Sequence, residues 1–121
     1  MTIPSRVLGA GASSLMTVAI CGDGVDGLTA AGTTRADALQ LTKVYNSVNT
    51  AASGTGVLLP PTQMGAVIYI ANSGANTISV YPYESATTIN QTSSASVASN
   101  FSSIFFAVSA AKWYSLTGAR T

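Results

Sequence analysis

Hydrophobic and polar positions change their spacing once along this chain. Near the amino terminus, six apolar positions recur at i, i+4, i+7, i+8, i+11 and i+12: Leu8, Ala12, Leu15, Met16, Ala19 and Ile20. This spacing places their side chains on one stripe of a helix, which Gly22 would end. The pattern predicts a short helix over about residues 8–20. Gly9 and Gly11 each cost about 1 kcal/mol in a helix interior, so a strand over "SLMTVAI" is the alternative.

The next segment, "GDGVDGLTAAGTT" over residues 22–34, holds four glycines and two aspartates. Such a composition is typical of turns and loops, and it predicts a loop here. The loop divides the chain into an N-terminal arm of residues 1–32, a β-rich body of residues 33–117 and a tail of residues 118–121.

Beyond the loop, short apolar or alternating runs are separated by Gly, Pro, Asn and Ser. The predicted strands are residues 38–42, 44–51, 57–59, 66–71, 77–81, 87–89, 103–109 and 112–116. "NSGAN" is predicted as a hairpin-type turn, and residues 90–100 as a polar loop anchored by Val97. No repeat of fixed period is visible. About seven short strands at this spacing predict a mainly β protein, a compact antiparallel β-sandwich or small barrel.

The alternation also predicts which side chains form the core. Ile104, Phe106 and Val108 share one face of their strand, which is predicted to pair with residues 112–116. The predicted core is Leu39, Leu41, Val57, Leu59, Val67, Ile68, Tyr69, Ile70, Ile78, Val80, Ile104, Phe106, Val108 and Trp113.

Charge is scarce in this sequence. Charged residues make up 7% of the 121 residues, against roughly 25% in an ordinary soluble domain, and the net charge is +1. Serine and threonine supply about a quarter of the chain. A surface with so little net charge provides weak repulsion between copies and favours association. The composition therefore predicts a protein that works within an assembly.

The same scarcity excludes several kinds of chemistry. With no histidine and one cysteine, the chain cannot build a Ser–His–Asp triad, a usual zinc site or an internal disulfide. Cys21 is therefore interpreted as a small buried apolar residue rather than a nucleophile. The basic residues Arg6, Arg35, Lys43, Lys112 and Arg120 are scattered and form no stripe for nucleic acid.

The four acidic residues are Asp23, Asp26, Asp37 and Glu84. Asp23 and Asp26 lie close in sequence, but a calcium loop needs six to eight oxygen ligands and no third acid is near. A glycosidase, which uses paired carboxylates, is kept as a remote alternative. We therefore predict no catalytic residue, no metal site and no cofactor, and expect the protein not to be an enzyme.

Two further features concern targeting and recognition. The run from Val7 to Cys21 is interrupted by glycine and serine, which argues against a signal peptide, and Pro60, Pro61 and Pro82 argue against membrane spans. The aromatic residues Tyr81, Tyr83, Trp113 and Tyr114 could form a sugar-binding platform, but a role in the core or an interface is favoured.

Four stretches in this order carry a family resemblance: "AAGTTRADALQLT", "VNTAASGTGVLLPP", "GAVIYIANSGANTISVYPYESATTIN" and "FFAVSAAKWYSL". The pattern resembles small structural proteins of tailed bacteriophages, of the head decoration (cement) or head-fibre type. It covers about residues 32–116. One departure is "PYESA", which lacks the glycine expected in the turn after "VYP".

The resemblance implies a capsid decoration protein, made in the host cytoplasm. Such proteins sit on the outer capsid surface, typically as homotrimers, and stabilise contacts between major capsid subunits. The residues expected to contact the capsid or a neighbouring copy are Leu8, Leu15, Met16, Ile20, Trp113 and Tyr114. The leading alternative is a receptor- or glycan-binding module of a head fibre or tail protein. A cellular surface or pilus-type subunit is a third alternative, which the missing export signal disfavours.

Overall fold

Two short helices precede ten strands in the computed structural model, which describes residues 3–119. The helices are α1 (Ile3–Gly9) and α2 (Ser14–Cys21). The strands are β1 (Gly24–Thr29), β2 (Leu39–Gln40), β3 (Tyr45–Thr50), β4 (Gly56–Leu58), β5 (Val67–Asn72), β6 (Ile78–Tyr81), β7 (Thr88–Ile89), β8 (Ala95–Val97), β9 (Phe101–Ser109) and β10 (Lys112–Ala119). The prediction of a mainly β protein with a short N-terminal helix is confirmed.

The first six strands alternate between two sheets. Strands β1, β3 and β5 pair in parallel in a six-stranded sheet, and β2, β4 and β6 pair in parallel in a four-stranded sheet. The chain therefore winds as a β-solenoid of three turns, each of which adds one strand to each sheet. Gly24, Tyr45 and Tyr69 lie side by side in register, so successive turns differ in length. This inequality explains why no fixed period is visible in the sequence.

The predicted antiparallel sandwich or barrel is therefore wrong for most of the fold. Alternation along a run identifies a strand but does not identify its partner. The "NSGAN" segment was expected to connect two paired strands, yet it leads from β5 in one sheet to β6 in the other. Among the described strands, the antiparallel pairs are those of β8 with β6 and of β9 with β5 and β10, and an isolated antiparallel bridge joins Ala31 to Gly56. The predicted pairing of the last two strands is confirmed.

The N-terminal segment differs from the prediction in two respects. The single helix over residues 8–20 is instead two helices, broken around Gly11, whose φ is 102°. The side chain of Ser13 restarts the helix by accepting a 3.1 Å hydrogen bond from the Met16 amide. The predicted loop of residues 22–34 contains β1, and the predicted loop of residues 90–100 contains β8. Val97 is buried at its predicted anchoring position.

One hydrophobic core joins the two sheets. Eight predicted core residues are buried, namely Leu41, Val57, Leu59, Ile68, Ile70, Ile78, Val80 and Trp113, and Leu39 packs against them half-buried. The other five, Val67, Tyr69, Ile104, Phe106 and Val108, point away from the core, so their prediction is wrong. In β9 the inward residues are Ser103, Phe105 and Ala107. Because both faces of β5 and β9 carry apolar residues, period-two alternation alone could not decide which face turns inward.

Candidate interaction surface

The five outward-facing residues lie on one surface, the side of the six-stranded sheet turned away from the core, which we call the outer face. Across four neighbouring strands of this face, strand register places Leu116, Ile104, Tyr69 and Tyr45 side by side. A parallel row consists of Tyr114, Phe106 and Val67. The two rows hold no charged side chain.

Aromatic contacts hold the rings of these rows in place. The rings of Tyr45 and Tyr69 stack with centroids 4.7 Å apart and planes 21° apart. Phe106 and Tyr114 meet in a tilted arrangement at 6.4 Å. Cross-strand aromatic pairs of this kind stabilise a sheet and fix ring positions. Leu116 is nevertheless 66% exposed and Tyr45 45% exposed, so the outer face offers ordered apolar side chains to a partner.

An open groove of about 980 Å³ runs over this face from β10 to β1. Tyr45, Tyr69, Ile104 and Leu116 line it together with small polar residues of the same strands. Asp26 is the one charged side chain among the lining residues. It lies in β1 at the edge of the sheet, where its carboxylate accepts a 2.8 Å hydrogen bond from the amide of Gly27.

A second apolar surface is formed by residues 3–21, which we call the helical arm. Its large apolar side chains are exposed, with Leu15 at 85%, Ile20 at 65% and Met16 at 54%. Thr17 is the one buried residue in its two helices. Helices of 7 and 8 residues are marginal in water without packing against a partner. The exposed apolar residues therefore mark the helical arm as a segment that packs against another surface.

The connection between the helical arm and the sheet is closely packed. The hydroxyl of Tyr45 donates a 3.5 Å hydrogen bond to the carbonyl of Cys21. A Cβ on Gly22, whose φ is 82°, would lie 2.9 Å from the Tyr45 ring. Asp23 forms a 3.1 Å ion pair with Lys43, and this contact lowers the pKa of the Asp23 carboxyl. These contacts hold the end of α2 against the edge of the sheet at β1 and β3.

The structure divides the predicted contact residues into three groups. Leu8, Leu15, Met16 and Ile20 are exposed on the helical arm, and Tyr114 is half-buried on the outer face. Trp113 is 1% exposed, so the prediction that it contacts a partner is wrong. Successive side chains of a strand point to opposite faces, so Trp113 points into the core while Tyr114 lies on the outer face. Trp113 is the largest fully buried side chain.

Sequence reasoning missed the contribution of the outer face. Val67, Tyr69, Ile104 and Phe106 were assigned to the core because a buried strand and an apolar outer face look alike in a single sequence. Tyr45 and Leu116 complete the main row and were not singled out. The signal that could have indicated an apolar outer face is the total number of apolar residues in β5 and β9, which exceeds what one inward face can hold.

The aromatic residues considered as a sugar-binding platform do not lie together. Tyr81 lies in the four-stranded sheet, where its hydroxyl bonds to the Thr33 carbonyl at 3.2 Å, whereas Trp113 and Tyr114 belong to the other sheet. The aromatic quartet therefore provides no common platform. Cys21, predicted to be buried, is half-buried.

The four carboxylates lie in separate local hydrogen-bond networks. The amide and the hydroxyl of Thr34 donate hydrogen bonds to the Asp37 carboxylate. These bonds stabilise a turn and lower the pKa of Asp37. Burial disfavours the charged form of Glu84, but hydrogen bonds from Thr62 and Thr87 outweigh this effect and hold the pKa of its carboxyl below the ordinary value of 4.5. Within residues 3–119, no group of three His, Cys, Asp or Glu residues is arranged to hold a metal ion.

Neither helix in the described part of the chain is long and apolar enough to cross a membrane. Comparisons with protein families, curated proteins and solved structures find no match for this chain.

Proposed function

We propose that this chain is a structural subunit that assembles through its outer face and its helical arm. The observation that carries the proposal is the uncharged row of Leu116, Ile104, Tyr69 and Tyr45 across four strands. Contiguous exposed apolar surface of this kind is typical of interaction sites. Its burial stabilises a complex by about 25 cal/mol per Å² before ordering costs are subtracted.

Within this class, we propose a capsid decoration (cement) protein of a tailed bacteriophage. The protein would bind the outer surface of the capsid as a homotrimer and stabilise contacts between major capsid subunits. The sequence resemblance over residues 32–116 supports this assignment. The quoted segments contain β2, the second half of β3, β4 to β7, most of β9 and most of β10, so the resemblance follows the β-rich body rather than the helical arm.

Copy number and location in purified phage particles test this function. A decoration protein is expected at hundreds of copies per particle, and antibody labelling should place it on the head. Capsids stripped of the protein should rebind the wild-type chain. Detection at only a few to a few tens of copies, at the tail, would overturn the decoration role.

Variants can connect binding to the two surfaces. Leu15→Glu on the helical arm and Ile104→Glu on the outer face are each expected to reduce capsid binding, because each places a charge in an apolar contact. Ser96→Glu is the matched control, since Ser96 is exposed on the other sheet. If Leu15→Glu and Ile104→Glu bound capsids as strongly as the Ser96→Glu control, the two surfaces would not contribute to capsid binding.

A receptor- or glycan-binding module of a head fibre or tail protein is the second candidate. The stacked pair of Tyr45 and Tyr69 in the groove favours it, because aromatic faces pack against the apolar faces of sugar rings. This candidate predicts the low copy number described above and a loss of host-cell adsorption in Tyr45→Ala particles.

A further inference from the structure

We infer that the groove on the outer face receives the helical arm of a second copy of this chain. The inference deepens the proposed function and rests on it, because it specifies which surfaces join one copy to the next. Both surfaces are exposed in the single chain, and each lacks the partner that its composition requires.

The dimensions of the two surfaces agree. The groove crosses five strands, which at the usual spacing between strands is about 19 Å. Helices of 7 and 8 residues are about 10–12 Å long, and two packed helices are about 8–10 Å apart. The pair therefore fits on the outer face with its apolar side chains turned toward the rows of Leu116 and Phe106.

The charges of the two surfaces are complementary. Arg6 is the one charged residue in the helical arm, and Asp26 is the one charged residue that lines the groove. An arm placed in the groove with Arg6 toward β1 would pair the two. The remaining contacts would join apolar side chains and hydroxyls without burying an unpaired charge.

The geometry at the root of the helical arm favours a second copy over the chain's own groove. Tyr45 packs over Gly22 and bonds to the Cys21 carbonyl, which holds the end of α2 beside the β1–β3 end of its own groove. There the arm's Ile3, Pro4 and Ile20 border a second cavity of about 590 Å³ without filling the groove. In this position Leu15 and Ile20 stay exposed, and the groove stays open. Folding the arm onto its own groove would break these contacts, whereas a neighbouring copy can accept the arm as it stands.

The edge of the sheet is less suited to self-association. β1 is an edge strand, but its pairing with β3 shifts register between Val25 and Leu28. The intervening residues are Asp26 and Gly27, and Gly27 has a φ of 76°. A bulge with a charged side chain is a common device that prevents a sheet edge from pairing with another chain. Self-association through the outer face is therefore favoured over extension of the sheet.

A complementation experiment on the full-length chain tests the inference. The arm variant carries Leu15→Glu and Ile20→Glu, and the groove variant carries Leu116→Glu. By sedimentation equilibrium, wild type and the Ser96→Glu control should form the same oligomer. Each variant alone should associate about 10-fold or more weakly, because each contact would bury a carboxylate. Mixed in equal amounts, the two variants should form a 1:1 heterodimer, since the mixture contains one intact arm and one intact groove.

Charge reversal provides an independent measurement. Arg6→Glu and Asp26→Lys should each weaken association about threefold, the range of an exposed ion pair. The chain with both substitutions should recover wild-type association. A failure of the double variant to recover would overturn the pairing of Arg6 with Asp26.

A cross-link decides the matter if the Leu116→Glu chain does not fold. In a Cys21→Ser background, a chain that carries both Leu15→Cys and Leu116→Cys should form disulfides between chains, seen on a non-reducing gel as covalent species of two or more chains. A disulfide within one chain would overturn the inference. So would an arm variant that associates as strongly as wild type, or a mixture that stays monomeric. If the chains did not associate through arm and groove but the protein was present at high copy number on phage heads, the proposed function would stand. If they did associate in this way but the protein did not bind capsids, the proposed function alone would be overturned.

Discussion

The indole nitrogen of Trp113 donates a 2.9 Å hydrogen bond to the hydroxyl oxygen of Thr62, 51 residues earlier in the chain. The Thr62 hydroxyl in turn donates a 2.7 Å hydrogen bond to Glu84. These bonds connect β10, the segment after β4 and the segment after β6. They join the last turn of the solenoid to the C-terminal strand through the buried Trp113 and Thr62 and the half-buried Glu84. Such groups hold a defined geometry because leaving a buried donor or acceptor unpaired is costly.

Replacing the donor of this bond should lower stability without disrupting the fold. Trp113→Phe keeps an aromatic ring in the core but leaves the Thr62 oxygen without its donor, and we expect a loss of about 1–3 kcal/mol in the free energy of unfolding. Thr62→Val should cost a similar amount. In a double-mutant cycle by chemical denaturation, the two losses should be clearly less than additive, because both variants remove the same bond. Additive losses would contradict the coupling.

Glu84 should make the stability of the protein depend on pH. Its pKa in the folded chain lies below the ordinary value of 4.5, since the hydrogen bonds from Thr62 and Thr87 favour the carboxylate. A lowered folded-state pKa stabilises the native state above about pH 4.5, and this contribution is lost as the pH falls through the folded-state value.

Denaturation of wild type and Glu84→Gln measures this contribution. Wild type should have the larger free energy of unfolding at pH 7, and the difference between the two proteins should decrease toward pH 3. Asp23 and Asp37 also have lowered pKa values, so both proteins should weaken in acid, and the difference between them isolates Glu84. A gap that is constant with pH would show that the ionised form of Glu84 contributes nothing.

Asn72 should be the asparagine most sensitive to substitution. Its side chain is fully buried, donates 2.9 Å hydrogen bonds to the carbonyls of Asn76 and Val97, and accepts one from the Gly74 amide. Asn72→Ala leaves these groups unpaired and should cost about 3 kcal/mol or more. Asn49→Ala is the control, because Asn49 is exposed in β3 and should cost under about 0.5 kcal/mol. Thermal unfolding compares the two, and equal effects would contradict this role.

Local pattern predicted most of the strands, because runs of β-branched and aromatic residues favour a strand whatever its partner, but it missed β1 and β8. The run at residues 66–71 is rich in β-branched and aromatic residues, and it forms the central strand β5. Strand pairing is not local. Gly24 lies beside Tyr45 only because the chain makes a full turn of the solenoid between them. The residues "GDGVDG" have low strand propensity, so nothing in them indicates a strand. The strand β1 forms because it pairs with β3.

Sequence reasoning predicted the helical part of the candidate surface and, of the two rows on the outer face, only Tyr114. Leu15 and Ile20 stand out in sequence because an apolar stripe on a short helix needs a partner. Phe106 carries no comparable signal, because an apolar side chain on a strand is equally compatible with either face until the strand's partners are known.

Two adjacent phenylalanines provide the sharpest test of which face of β9 turns inward. Phe105 is fully buried between the sheets, whereas Phe106 is half-buried on the outer face beside Tyr114. Phe105→Ala should therefore cost about 3–5 kcal/mol in unfolding free energy, and Phe106→Ala a good deal less.

The two substitutions should rank in the opposite order for association. In sedimentation equilibrium, Phe106→Ala should weaken self-association while the chain stays folded, because it removes apolar area from the outer face. Chemical denaturation of both variants under the same conditions gives the stability ranking. If Phe106→Ala proved the more destabilising of the two, β9 would have to turn its other face inward, and the outer face described above would belong to the core.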